Sequence, residues 1–143
     1  MRRSTRRALV SVFLGFWIGL GLLHAKNGRT IPVRVSENAG DHFTYYAIGQ
    51  DGRIRIDNPK LTEKLQALGN VATGTKIVFL IDDEVPLAEM NVISMLVDKY
   101  DLAGVRYFVC NHRAGQMVEL NRNDEGNFAW TNHRLEITDH PPE

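Results

Sequence analysis

The sequence predicts an α+β protein: an N-terminal transmembrane helix, then a small two-layer domain of ββα-βαβ order with a mixed sheet and two helices on one face. Three observations lead there. Arg2, Arg3, Arg6 and Arg7 precede an uncharged apolar run from Ala8 to Ala25. Lys76 to Ile81 (KIVFLI) sets five large apolar residues in a row without alternation, as in a strand covered on both faces. Leu87 to Tyr100 then repeats apolar residues at helical period before a second strand-like stretch, Val105 to Cys110 (VRYFVC). Strand, helix, strand at this spacing makes a crossover between two parallel neighbours.

The N-terminal run has two readings. A cationic flank holds its end of an apolar helix in the cytoplasm, so the residues beyond the run are exported. Spanning a hydrocarbon core of roughly 30 Å takes about 20 helical residues, so residues 8–25 suffice with His24 and Lys26 at the far interface. The same run also reads as a signal peptide cut after Leu23-His24-Ala25, with bulky Leu23 where a small residue is preferred. The chain thus divides into a basic cytoplasmic segment (1–7), an anchor or signal peptide (8–25), a polar periplasmic linker (26–41), a domain (42–115) and a C-terminal extension (116–143).

Charge narrows the function classes. The formal net charge is zero, but without the four N-terminal arginines 13 basic residues face 17 acidic ones. A nucleic-acid surface needs a basic stripe, and the exported part offers none. Cys110 is the only cysteine, so no disulfide forms within the chain and packing alone must hold the fold.

Each element has a local cause. Residues 26–41 are polar and punctuated by Gly28, Pro32 and Gly40, with Ile31-Pro32-Val33 able to pair at a sheet edge. His42 to Ile48 (HFTYYAI) is a strand by composition, and Gln50-Asp51-Gly52 supplies a hairpin turn. Arg53 to Asp57 alternates, with Ile54 and Ile56 on one side, as a half-buried strand does. Asn58 caps a helix whose first residue is Pro59. Leu61, Leu65 and Leu68 give that helix one apolar face, and Gly69 is expected to close it in the left-handed conformation. In the second helix Met90, Ile93, Val97 and Tyr100 form the stripe, and Ala103-Gly104 ends it. Beyond Met117 the stretches MVEL, NFAW and RLEI allow a short hairpin.

Two groups of residues are candidate sites. Asp82-Asp83-Glu84 lies at the carboxyl end of the central strand, where open α/β sheets bind ligands. Three carboxylates there either hold a divalent cation or complement the dipole of the following helix. Cys110 and His112, two apart at the end of the neighbouring strand, point to the same edge. With Asp82 they supply a nucleophile, a base and an orienting acid in composition. The competing reading is a buried Cys acting as a small hydrophobe. His42, His133 and His140 lack zinc-site spacing, and no cofactor is expected.

Several stretches together resemble the ExbD/TolR family of biopolymer-transport proteins. They are Ala47-Ile48-Gly49-Gln50-Asp51-Gly52-Arg53-Ile54 with Leu61 and Leu65, Ile77 to Val85 (IVFLIDDEV), and Leu102-Ala103-Gly104-Val105. The resemblance covers residues 1–110 and implies a single-pass protein of the bacterial inner membrane with a periplasmic domain. It further implies a homodimer that works with an ExbB/TolQ-like proton-channel subunit and a TonB/TolA-like envelope protein, by protein-protein interaction and not as an enzyme. Sheet-edge pairing through Ile31, Val33 and Val35 is the expected contact. The family's transmembrane aspartate is missing here, since Ser11 is the only polar side chain from Ala8 to Leu23. The resemblance therefore implies the fold without the proton relay. The alternative is an exported soluble domain with a binding or minor hydrolytic role at Asp82, Asp83, Cys110 and His112.

Overall fold

The computed structural model describes residues 29–142. The expected anchor or signal peptide at 8–25 and the basic segment before it lie outside the described residues. Among the described residues, no helix is long and apolar enough to cross a membrane.

The first element corrects the linker reading. Thr30–Glu37 is a strand, β1, and not a polar connection. It pairs antiparallel with β2 (Thr44–Ile48) on one side and parallel with β4 (Lys76–Asp82) on the other. Ile31, Val33 and Val35 are therefore interior to the sheet, and Val33 and Val35 are fully buried. The main-chain groups of Val33 and Val35 are already spent on β2 and β4, so this stretch cannot offer an edge to a partner. Pro32 fits because pairing with β2 begins only at Val33. Its missing N–H falls where β1 has one neighbour, not two.

A tight turn follows β2. Its left-handed residue is Gly49 (φ 61°), not Gly52, and Asp51 N–H donates to Ile48 O at 3.1 Å. The predicted strand 53–57 shrinks to β3 (Ile54–Arg55). Helix α1 (Pro59–Gly69) starts as expected, with the Asn58 side chain accepting from Lys60 N–H at 3.0 Å and Leu61, Leu65 and Leu68 buried. Its end differs. Gly69 is not in the left-handed region, and Asn70 closes the helix at φ −105°. The glycine is needed for another reason: a Cβ there would collide with the carbonyl oxygen of Tyr100.

Helix α2 (Ala88–Lys99) connects β4 to β5 (Val105–Asn111), and these strands are parallel neighbours as predicted. Ile93 and Val97 are buried, while Met90 and Tyr100 are only partly covered. Ser94 is a buried member of the helix face that the apolar stripe did not reveal. Its hydroxyl donates to Gly126 O at 3.0 Å and accepts from Arg122 Nε at 2.8 Å.

The C-terminal residues belong to the same sheet and are not an appendage. β6 (Gln116–Arg122) and β7 (Phe128–Glu136) extend it antiparallel. The seven strands run β3-β2-β1-β4-β5-β6-β7, so the sheet is mixed and the order of elements is longer at both ends than ββα-βαβ. The apolar residues of α1 and α2 join one cluster with Val33, Val35, Ile77, Phe79 and Ile81, so both helices cover one face. Phe79 stacks on Tyr107 at 5.7 Å between centroids, and Tyr107 meets Phe128 edge-on at 4.9 Å. Full burial of a side chain such as Phe79 contributes about 1.5–3 kcal/mol. Among the described residues, the opposite face has no helix. Its own cluster, Val78, Phe108, Cys110 and Met117, is covered in part by Leu135 and Ile137, which explains why KIVFLI is apolar on both sides.

Candidate functional site

The helix-free face carries the predicted site residues. Asp82 and Cys110 are register partners on β4 and β5. His112, two residues on, has the same orientation, and its Nε2 lies 2.7 Å from Asp82 Oδ1. The structure thus brings Asp82, Cys110 and His112 together. Asp83 is exposed, lines a shallow hollow with Asp82 and His112, and its N–H donates to Cys110 O at 3.1 Å.

The electrostatics run against a nucleophile. Burial first, and then the Asp82 carboxylate, push the Cys110 thiol up to about 11, while Arg34 opposes the shift. An activated cysteine needs the reverse, a depressed pKa beside a cation or a paired base. No hydrogen bond joins Cys110 to His112, whose partner is Asp82. With a side chain 4% exposed, Cys110 packs as an apolar residue beside Val78, Phe108 and Met117.

The acidic triplet does not gather as a metal site either. Among the described residues, no group of three or more His, Cys, Asp or Glu is arranged to hold a metal ion. Nor does the triplet sit on the first turn of α2, where Glu89 is the acidic residue. The Glu89 carboxylate accepts from the Tyr46 hydroxyl at 2.8 Å, which ties α2 to β2. Burial first, and then Glu89, drive the Tyr46 hydroxyl far above its ordinary pKa.

Two features were not legible in the sequence. One is a cavity of about 250 Å³ on the helix-free face, lined by Asp82, Cys110 and His112 together with Arg34, Arg53 and the C-terminal Ile137, Thr138, His140 and Pro141. Arg34 sat in a segment read as linker, and residues 137–141 carry no periodicity at all. The other is a groove of about 390 Å³ at the carboxyl end of β4, between α2 and the β6–β7 hairpin. Leu87 and Trp130 line it and stay 84% and 66% exposed.

At the free side of the hairpin lies an ion cluster. Glu119 accepts from Arg106 Nε at 2.8 Å and Nη2 at 3.0 Å, and meets His133 Nδ1 at 2.7 Å. The Arg106 contact, more than His133, holds the Glu119 carboxyl below its ordinary pKa. β7 bulges opposite Glu119: pairing jumps from Trp130 to Arg134, and the Thr131 hydroxyl donates to Glu119 O at 2.8 Å.

No family model, curated protein or solved structure matches the chain.

Proposed function

We propose that the chain is a membrane-anchored, ExbD/TolR-like subunit or accessory of an envelope transport complex, acting by dimerisation and protein-protein interaction. The observation that carries the interaction role is the end of the sheet. β7 is nine residues long and, among the described residues, has a strand neighbour on one side only, β6. An exposed row of main-chain donors and acceptors is a template for pairing with another strand. The exposed Trp130 and Leu87 beside it add the kind of apolar anchor that dominates protein interfaces. The anchor and the export direction rest on the four arginines ahead of the 8–25 run. The contact surface differs from the one expected from the sequence: β7 takes the place of β1, whose two sides are occupied.

Fractionation and crosslinking test the reading. Full-length chain of 16.2 kDa is expected in the inner-membrane fraction. A single added cysteine at Ala129 or Arg134 is expected to crosslink to a second copy or to an envelope partner. Asn132→Pro lies in the bulge between the paired Trp130 and Arg134, so it leaves the β6 ladder intact while blocking the outer edge. It should abolish the crosslink without lowering the melting temperature. A soluble species lacking residues 1–25, or crosslinking unaffected by Asn132→Pro, overturns the proposal.

A further inference from the structure

Around an apolar hollow on the helix-free face stand two arginines and one aspartate. Residues 137–141 run from β7 back over this face, with Ile137 packed against the cluster of Val78, Phe108, Cys110 and Met117. Between this strap and the sheet the cavity of about 250 Å³ stays open. Ala47, Leu80, Met117 and Ile137 give it apolar walls. Its charged groups are Arg34 from β1 and Arg53 from the segment ahead of β3, set against the single carboxylate of Asp82, which His112 already engages. The other arginines of this face have partners: Arg55 pairs with Asp57, and Arg106 with Glu119. Arg34 and Arg53 have no carboxylate within ion-pair distance among the described residues. Arg53 lies 4.6 Å over the Tyr45 ring, a contact that positions the guanidinium without neutralising it.

Two guanidiniums beside an apolar hollow match one ligand chemistry. A carboxylate gains charge-assisted, bidentate hydrogen bonds from arginine, and an apolar body displaces water from the walls. Size comes from scaling: a cavity of roughly 150 Å³ holds benzene, so this one takes about ten heavy atoms. A second negative charge on the ligand would meet Asp82 and the apolar walls, which disfavours dicarboxylates and phosphates. We propose that this cavity binds a small monocarboxylate with a compact apolar body, its carboxylate held by Arg34 and Arg53 and its body laid against Leu80 and Ile137. This site lies on a different surface from the β7 edge and does not depend on the assembly reading.

Calorimetric titration of the full-length chain with 3-phenylpropanoate tests it, with the reconstitution medium alone as blank. The neutral control is 3-phenylpropan-1-ol, which has the same body without the charge. Saturable binding of the acid is expected, with the alcohol at least tenfold weaker. The double variant Arg34→Gln/Arg53→Gln, altered only at exposed side chains, should keep its melting temperature and lose at least tenfold in affinity. Leu80→Trp, which fills the hollow, should block binding. Absence of saturable binding at millimolar acid, equal binding of the alcohol, or unchanged affinity in the double variant each overturns the proposal. Crosslinking through β7 stays as in the wild type in every one of these cases, so the two proposals fail separately.

Discussion

The chemistry of Cys110 gives a quantitative test of whether the Asp82–Cys110–His112 group is catalytic or structural. The perturbation is alkylation of the native protein by iodoacetamide, compared with the same protein in denaturant. Only thiolate reacts. Burial moves the thiol from its ordinary 9.0 to about 11, with Asp82 contributing in the same direction. At pH 7 the thiolate fraction then falls from about 1 in 10² to about 1 in 10⁴, one decade for each pKa unit. Native alkylation is therefore expected to be about 100-fold slower than in the unfolded chain, before any steric protection from a side chain only 4% exposed. The rate should keep rising with pH to beyond 10. Asp82→Asn, which removes the second cause of the shift, should speed the reaction only a few-fold, because burial is the larger one. The assay is mass spectrometry of quenched time points across pH 6–11. A native rate equal to the unfolded one, or a pH profile that levels off near 7, would show a stabilised thiolate. That would refute the inert reading and restore a nucleophile at this edge.

Two other substitutions probe the frame that holds the site. Gly69→Ala in a helix ordinarily gains about 1 kcal/mol. Here the new Cβ meets the Tyr100 carbonyl, so a loss of about 2 kcal/mol in urea unfolding is expected, and an unchanged or higher midpoint refutes the close approach. Glu119→Gln removes the charge shared by Arg106 and His133 and should destabilise by about 1 kcal/mol at neutral pH, given the partial exposure of the group. The Glu119 carboxyl is held below its ordinary 4.5, so its contribution is complete above that pH and is lost as pH falls through the lower folded value. The gap between wild type and variant should close in acid; a gap that does not shrink as pH falls would contradict the assignment.

Local chemistry made part of this molecule readable. Pro59 after Asn58, with leucines at 61, 65 and 68, specifies α1 because capping and helical period act within a few residues. KIVFLI specifies a doubly covered strand because no half-exposed strand tolerates that run. The juxtaposition of Asp82, Cys110 and His112 was legible too, since side chains two apart share a face of a strand and parallel neighbours share an edge.

Residues close together in the chain thus specified the inner elements, the β4–α2–β5 crossover and the composition of the Asp82 edge. Long-range packing alone made Thr30–Glu37 an inner strand and set Gly69 to serve a contact beside α2 and not a cap. Each of these depends on a partner distant in sequence. β1 contains Pro32 and Arg34 and looks like linker until β2 and β4 flank it and supply its hydrogen bonds. Arg34, Arg53 and the strap at 137–141 come from three separate stretches, and only the folded sheet sets them around one cavity. Capping and periodicity are local energies written in neighbouring residues, whereas strand order and cavity walls are set by long-range pairing that no window of sequence contains.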